Sequence, residues 1–182
     1  MLTTFVDYLQ DKSGVLERVT GLIRRRGFEI QSLSIGQTEM PGLLRMSLVA
    51  DTGQDGSARL EANLCKLPYV VRAFNVASAP CLFRELVVIK LAADREERSE
   101  IMQIALAFRS RVVDICPGSI IVECAGGEQK INALVEILGT FGILEMARTG
   151  RVAMVRGLQN GAWKSEAAGS ANLAPTHDKV IL

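Results

Sequence analysis

Apolar residues near the start of the chain follow two different periods. Residues 2–9 alternate, with Leu2, Val6 and Tyr8 on one side, a pattern that predicts a strand. Between Val15 and Ile23 the apolar residues recur at helical spacing and form one face, which predicts an amphipathic helix. Three arginines and Gly27 follow, and both features are typical of a helix C-terminus. The chain therefore begins with a strand followed by a helix.

A second strand is predicted over residues 28–38, with an irregularity inside it. Its apolar positions change parity between Ile30 and Leu33, so we expect a β-bulge or a strand that serves both faces of a sheet. The next residues, Pro41-Gly42, are a hairpin turn signal. The elements predicted after this turn are a strand with alternating Leu44, Met46 and Leu48, a helix with Leu60, Leu64 and Leu67, and a strand over residues 69–76.

The second half of the chain repeats this order of strand, helix, strand, strand, helix and strand. Its predicted elements are a strand over residues 85–91, a helix with Ile101, Ile104, Ala105 and Phe108, a hairpin of residues 111–116 and 119–124, a helix with Ile131, Leu134, Val135 and Leu138, and a final strand over residues 143–155. The final strand is expected to bend near Gly150. Two copies of this order predict an α/β fold of the α+β type, built from two ferredoxin-like βαββαβ units.

The domain organisation follows from this repeat. We expect residues 1–78 to form the first domain and residues 82–157 the second, with a linker around residues 78–81. Residues 158–182 are rich in Gly, Ala, Ser and Asn, so we expect a flexible, disordered tail. Each unit would leave one sheet face and its edge strands uncovered. Pairing with a second copy would cover them, so we expect a homodimer.

Composition narrows the function. The 182 residues are 48% apolar, which is enough for two small domains with cores of their own. Basic and acidic residues number 21 and 20, a balance that is unusual for a general nucleic-acid or membrane binder. The sequence shows neither an apolar run of bilayer length nor a signal-peptide pattern. We therefore expect a soluble cytoplasmic protein that binds neither nucleic acid nor membrane.

Residue types suited to catalysis or metal binding are scarce. The four cysteines form no C-x-x-C pair and have no nearby histidine, which argues against zinc and favours reduced, mostly buried thiols. The single histidine, His177, lies in the expected tail, where a general base would be held too loosely. Neither a Walker pattern nor a G-x-G-x-x-G is present. We expect no catalytic residue, no metal site and no cofactor bound by this chain itself.

The turn Asp11-Lys12-Ser13-Gly14 is the main candidate for a binding site. It ends a strand and opens a helix, so unpaired backbone N–H groups at this point would suit a carboxylate. Gly14 would let a ligand approach the backbone closely, and Ser13 is expected to cap the helix. A tight turn that simply needs glycine accounts for the same residues. The local pattern leaves both interpretations open.

Longer stretches of the sequence carry a resemblance to a known family. The segment "DKSGVLERVTGLIRRRGFEIQSLSIGQTEMPGLLRMSL" resembles an ACT domain, a small-molecule sensing module. The segments "RELVVIKLAAD", "FRSRVVDICPGSIIVECAGG" and "FGILEMARTGRVAMVRG" resemble the small, regulatory subunit of acetolactate synthase, also called acetohydroxyacid synthase. The resemblance covers about residues 1–157.

The resemblance implies a partner and a role. The chain would have no catalytic site and would bind a large catalytic subunit, a transferase that uses thiamine diphosphate, magnesium and usually FAD. That enzyme joins two pyruvates, or pyruvate and 2-oxobutyrate, to begin the synthesis of valine, leucine and isoleucine. The small subunit would raise the activity of the large one and confer allosteric feedback inhibition by valine. A stand-alone ACT-type amino-acid sensor that acts on another partner is the alternative, and an enzyme in its own right is disfavoured.

The resemblance also implies where an amino-acid effector binds. ACT domains of the family pair as a homodimer, and the effector lies at the ACT–ACT interface. The implied effector-binding residues are Asp11, Ser13, Gly14, Val15 and Leu16 of one protomer with Glu29 and Ile30 of its neighbour. In this scheme the loop amides hold the carboxylate, and Val15 or Leu16 contacts the side chain of the effector.

Two of the implied effector residues depart from the family pattern. The pattern has asparagine at the positions of Asp11 and Glu29. Asparagine can donate to a carboxylate and accept from an ammonium group, whereas an ionised acid can only accept. We therefore expect that this chain binds valine weakly or not at all, and that it activates without strong feedback or senses another ligand. The alternative is that Glu29 points to solvent and the loop amides still hold valine.

Overall fold

The structure is a computed structural model, and it describes residues 1–157. The first unit consists of β1 (Leu2–Gln10), α1 (Val15–Arg25), β2 (Glu29–Gln37), β3 (Leu43–Asp51), α2 (Gly56–Leu64) and β4 (Val70–Asn75). Its four strands form an antiparallel sheet in the order β2-β3-β1-β4. The pairing of β2 with β3 shifts register between Ile30 and Ser32, which confirms the predicted bulge.

The second unit repeats the strand and helix order and adds one strand. It consists of β5 (Cys81–Ala92), α3 (Arg95–Ala107), β6 (Arg111–Cys116), β7 (Ser119–Gly126), α4 (Glu128–Leu138), a short 3-10 helix (Gly139–Phe141), β8 (Ile143–Arg148) and β9 (Val152–Val155). Four strands follow the order β6-β7-β5-β8, and β9 pairs with another part of β5. The predicted class, two ferredoxin-like units with an ACT-like first unit, is confirmed.

The end of the second unit differs from the prediction of one bent strand. β8 pairs with residues 87–91 of β5, whereas β9 pairs with residues 81–84. β5 is 12 residues long and begins at Cys81, inside the expected linker, so it offers pairing partners to two successive strands. Gly150 lies in the break between β8 and β9.

Each unit has its own apolar core between the helices and one face of the sheet. In the first unit, Phe5 and Leu9 of β1 pack with Val19 and Ile23 of α1, and all four side chains are fully buried. Gly27 adopts a φ of +73°, and its N–H donates to the carbonyl of Arg24 at 3.0 Å, which confirms the predicted end of α1. The helical pattern predicted Val19 and Ile23 correctly. The alternation placed the apolar side of β1 at Leu2, Val6 and Tyr8, which is wrong for this core, since Phe5 and Leu9 on the other side of the strand pack against α1.

The second unit is held in the same way. Val87, Ile89 and Leu91 alternate along β5, and all three are fully buried against α3 and α4. Asp94 caps α3, since its carboxylate accepts from the backbone N–H of Glu97 at 2.9 Å and the carboxylate of Glu97 accepts from the N–H of Asp94 at 2.9 Å. This reciprocal capping box fixes where the chain leaves β5 and enters the helix.

The second unit covers part of the first unit's open sheet face. Val6 on that face is fully buried with Ala153 of β9, and Phe83 of β5 packs against the same cluster. The Arg45 guanidinium donates to the carbonyl of Ala153, whose N–H donates to the Ser47 hydroxyl at 3.2 Å. The expectation that a second copy covers this face is therefore wrong for these residues, since the chain covers them itself.

The cysteines are free, as expected, but they are not mostly buried. Cys124 is buried, whereas Cys65 and Cys116 are exposed and Cys81 is half-buried. The exposed pair lies at element ends, with Cys65 just after α2 and Cys116 at the tip of the β6–β7 hairpin. Side chains at such ends face solvent, and a composition argument does not predict this.

Three further expectations concern absences or the end of the chain. The expected tail of residues 158–182, with His177, lies outside the described residues. Within residues 1–157, no helix is long and apolar enough to cross a membrane. The same residues contain no group of three or more His, Cys, Asp or Glu side chains placed to hold a metal ion.

Candidate functional site

Gly14 sits at the start of α1 in a left-handed conformation. Its φ is +79°, a region in which other residues are strained, so the backbone itself requires glycine at this point. Gly14 is the N-cap residue, and no side chain caps the helix there, so the prediction that Ser13 caps it is wrong. A Cβ at Gly14 would meet nothing within 4 Å, which leaves the approach to its backbone open.

The turn before α1 uses some of its backbone N–H groups and leaves others unpaired. The N–H of Asp11 donates to the carbonyl of Gly42 at 2.8 Å, and the N–H of Val15 donates to the carbonyl of Lys12 at 3.2 Å. Among residues 1–157, the N–H groups of Ser13 and Gly14 have no hydrogen-bond partner. Neighbouring unpaired N–H groups at a helix N-terminus suit an anionic group such as a carboxylate.

Val15 and Leu16 point in different directions. The Val15 side chain is only 3% exposed and belongs to the first unit's core, whereas Leu16 is 37% exposed. The helical period puts these successive residues on different sides of α1, with one facing the sheet. Of the two residues that the resemblance implies for contact with an effector side chain, only Leu16 has an exposed side chain.

Glu29 and Ile30 lie at the opposite end of the sheet from this turn. Glu29 pairs with Asp51 at the end of β3, whereas Asp11 bonds to Gly42 just before the start of β3. The length of β3 separates them by roughly 27 Å at the usual rise of an antiparallel strand. One chain therefore does not bring the sequence-predicted effector residues together.

Two cavities lie beside effector residues, and of the first group Asp11 lines one of them whereas Ser13 and Gly14 do not. Asp11 lines a cavity of about 300 Å³ with the hairpin between β2 and β3, including Pro41. Glu29 and Ile30 line a second cavity of about 490 Å³, together with Arg24 from the end of α1. The chain thus carries two separate parts of the implied site, one at each end of the first unit's sheet.

Asp7 is a buried acid that the sequence analysis did not single out. It lies on the helix-facing side of β1 between Phe5 and Leu9, and it is 0% exposed. Among residues 1–157, neither carboxyl oxygen of Asp7 has a hydrogen-bond partner. Burial, with a smaller contribution from the nearby charge of Glu61, raises the pKa of Asp7 to about 8. The signal was present in the sequence, since Asp7 alternates with two aromatic or aliphatic core positions.

Two protein-family models match the chain. The model described as an AHAS small subunit-like ACT domain matches residues 8–72. The model described as the small subunit of acetolactate synthase matches residues 84–157. The two matches follow each other along the chain and correspond to the two units of the fold.

Named relatives and a solved structure agree with these matches. The "Probable acetolactate synthase small subunit" of Methanothermobacter thermautotrophicus is 42% identical over 150 residues, which cover 82% of this chain and 89% of that protein. The "Acetolactate synthase small subunit" of Mycobacterium bovis is 38% identical over 149 residues, which cover 82% of this chain and 89% of that protein. The crystal structure of the acetolactate synthase small subunit from Thermotoga maritima matches with a TM-score of 0.80 and 30% identity, over 87% of this chain and 99% of that chain. In sequence and in three-dimensional structure, the chain therefore belongs to the family of acetolactate synthase small subunits.

Proposed function

We propose that this chain raises the activity of the large catalytic subunit of acetolactate synthase and senses an amino acid between two copies of its first unit. Membership of the family makes the chain a regulatory subunit of the synthase. One observation carries the sensing role. The turn with its unpaired N–H groups and the residues Glu29 and Ile30 lie at opposite ends of one sheet. They form one site only if a second copy supplies the other end.

The sheet offers an edge for such pairing. β2 is an edge strand, since it pairs with β3 on one side only. A two-fold axis beside β2 would pair the two β2 strands in antiparallel fashion. Glu29 of the partner subunit would then approach the end of β2 at Gln37, which lines the same cavity as Asp11. Two equivalent sites would form, each with a carboxylate-binding turn from one copy and a strand start from the other.

The division of labour between the subunits follows. Residues 1–78 would act as the sensing ACT domain, and residues 82–157 would form the regulatory domain of the family. Thiamine diphosphate, magnesium and FAD would belong to the large subunit, which performs the reaction of pyruvate. Any effect of this chain on rate would come from a shift in the conformation of its partner toward the competent state.

The first expected result concerns assembly. Ile35 on the β2 edge is 37% exposed, and Ile35→Lys would place a charge where the two copies meet. The unmodified chain should sediment as a dimer, and Ile35→Lys should weaken dimerisation by about tenfold or more. Ile115→Lys is the matched control, since Ile115 is 50% exposed on the edge strand β6 of the second unit. A monomer whose sedimentation does not depend on concentration would contradict the proposed site.

The second expected result concerns the partner. Alone, the chain should not convert pyruvate, and mixed with its large subunit it should raise kcat several-fold. The measurement is the rate of acetolactate formation as small subunit is titrated to saturation. Equal rates with and without saturating small subunit would exclude the activator role.

A stand-alone amino-acid sensor that acts on another partner remains the second candidate. The ACT-like first unit fits that role by itself. The match of residues 84–157 to the synthase small subunit favours the first proposal. Co-purification of the chain from its own cell distinguishes the two, since only the first proposal requires the large subunit in the complex.

A further inference from the structure

The break between β8 and β9 touches both units at once. We call residues 148–153 the junction segment. It begins at Arg148, the last residue of β8, and includes the first two residues of β9. Its backbone lies against the first unit, while its arginine side chains reach back into the second. Within residues 1–157, it is the part of β8 and β9 that forms hydrogen bonds both to β2 of the first unit and to α4 of the second.

The backbone of the junction segment rests on β2. The N–H of Arg151 donates to the hydroxyl of Ser32 at 2.8 Å. A Cβ at Gly150 would lie 2.5 Å from the carbonyl oxygen of Leu33 and 2.9 Å from the hydroxyl of Ser32. The two backbones therefore approach so closely that only glycine fits at position 150. Because of this contact, a movement of β2 toward the junction segment pushes the segment, and a movement away pulls it through the hydrogen bond to Ser32.

The side chains of the junction segment hold the second unit. Arg148 donates through Nε and Nη2 to the Glu85 carboxylate at 2.8 and 2.5 Å, and through Nη1 to Asn132 of α4 at 2.8 Å. Arg151 approaches the same carboxylate at 3.5 Å and pairs with Glu128, the first residue of α4. Glu85 is only 8% exposed, so its ion pairs are screened less by solvent than surface pairs are. The arginines thus connect the segment to the start of α4.

The contact on β2 lies next to the residues implied for effector binding. Ser32 follows the bulge at Gln31, where the register with β3 shifts, and Glu29 and Ile30 come just before that bulge. A bulge leaves a residue outside the regular ladder, so the strand can bend there more easily than elsewhere. A cavity of about 490 Å³ lies beside the contact, lined by Gln31 and Arg151 among others, and it leaves room for such a bend.

We propose that the junction segment couples the effector end of β2 to the first turn of α4 through Ser32, Arg151 and Glu128. This inference rests on the proposed function, because it takes Glu29 and Ile30 as the effector end of the strand. A bend at Gln31 moves Ser32, the bonded backbone of Arg151 follows, and its side chain pulls on Glu128. A conformational change in the first unit thereby alters the second unit of the same chain.

Hydrogen exchange of the full chain by mass spectrometry tests the coupling without partner or effector. For each variant, the exchange rate is measured in the unit that does not carry the substitution. Ser32→Ala removes a hydroxyl from the first unit, and it should speed exchange of residues 131–134, the first in α4 whose N–H groups bond within the helix, by about tenfold. Arg151→Gln removes a charge from the second unit, and it should speed exchange of residues 30–33 in β2 by a similar factor.

Matched variants separate this coupling from general loosening. Ser34→Ala changes a serine on the same strand, and Arg111→Gln changes an exposed arginine of the second unit on β6. Both should leave exchange in the opposite unit within about twofold of the unmodified chain. The proposal is overturned if Ser32→Ala alters β2 alone, or if Arg151→Gln leaves residues 30–33 unchanged.

Reconstituted synthase extends the test to regulation. Twenty amino acids are screened against the complex of the large subunit with the unmodified chain. For any that acts, Ser32→Ala and Arg151→Gln should keep the basal activation but shift the response midpoint about tenfold or abolish the response. An unaltered response overturns the proposed route. If the unmodified chain fails to activate the large subunit, the proposed function falls, while the exchange results still decide whether the two units are coupled.

Discussion

The stability of the chain should fall as the pH rises from 5 to 8, and Asp7→Asn should remove most of that dependence. The cause is the carboxyl group of Asp7, which is fully buried and has no hydrogen-bond partner among residues 1–157. An ionised carboxylate loses its hydration there without compensation, so the neutral form is favoured. The pKa of Asp7 is raised from 3.8 to about 8, chiefly by burial and further by Glu61.

The sign follows from the two states of the chain. In the unfolded chain the Asp7 carboxyl loses its proton near pH 3.8, whereas in the folded chain it keeps the proton up to about pH 8. Between these values the folded state binds one more proton than the unfolded state. The free energy of unfolding therefore falls by about 1.4 kcal/mol for each pH unit in this window. The stabilisation is complete below pH 3.8 and is lost as the pH rises through about 8.

The test compares slopes rather than absolute stabilities. Asp7→Asn has no proton to lose, although its buried amide costs some stability at every pH. Urea unfolding is followed by circular dichroism from pH 5 to 8. Over this range the free energy of unfolding of Asp7→Asn should rise by about 4 kcal/mol relative to that of the unmodified chain. Asp55→Asn changes an exposed carboxyl of the same unit, and its plot of unfolding free energy against pH should run parallel to that of the unmodified chain. Parallel curves for Asp7→Asn would mean that the carboxyl is ionised or paired in the folded chain.

Asp7 also marks the limit of prediction from the sequence. Period-two and helical patterns located the strands and helices, and the parity change after Ile30 located the bulge, because local spacing follows directly from backbone geometry. The same alternation cannot say which side of β1 faces the helices. Both sides of β1 are covered, since Phe5 faces the helices and Val6 faces the second unit. A polar residue such as Asp7 then lies in the core without breaking the pattern.

The effector site shows the same division between local and long-range information. The turn before α1 was located from Gly14 and the start of the helical period, and the structure gives Gly14 its positive φ. The prediction that Ser13 caps α1 was wrong because the helix begins one residue later than expected, which makes Gly14 the N-cap residue. The junction segment was expected only as a bend near Gly150. Its contacts with Ser32 and Leu33 join residues more than a hundred positions apart, and no local pattern contains them.

Glu29→Asn combined with Asp11→Asn should strengthen the response of the reconstituted synthase to valine by tenfold or more. Both residues are exposed, and they lie at opposite ends of one sheet. In the proposed dimer, Asp11 of one copy and Glu29 of the partner subunit flank the same site. Each site then holds two carboxylates near the carboxylate of the bound amino acid, where the resemblance implies two asparagines.

The magnitude follows from the distance between like charges. At about 4 to 6 Å and an effective dielectric constant of about 20, each such contact costs roughly 3 to 4 kcal/mol before relaxation. Rotation of the exposed side chains, screening by salt and attraction to the ammonium group of the ligand recover much of this cost. A remaining loss of about 1.4 kcal/mol already weakens binding tenfold. Asparagine removes the repulsion and adds a donor for the ligand carboxylate.

Valine titration of the synthase reconstituted with each variant measures this effect. Valine should inhibit the complex with the unmodified chain weakly. The midpoint of inhibition should lie at a lower valine concentration with Glu29→Asn, and at the lowest concentration with the double variant. Glu136→Gln on α4 is the control, since it removes an exposed charge from the second unit rather than the first and should leave the titration unchanged. The rate at zero valine gives the basal activation by each variant, and each valine response is expressed relative to that rate. Strong inhibition of the unmodified complex at submillimolar valine, or asparagine variants with an unaltered midpoint, would show that Glu29 turns to solvent and that the loop amides alone decide the affinity.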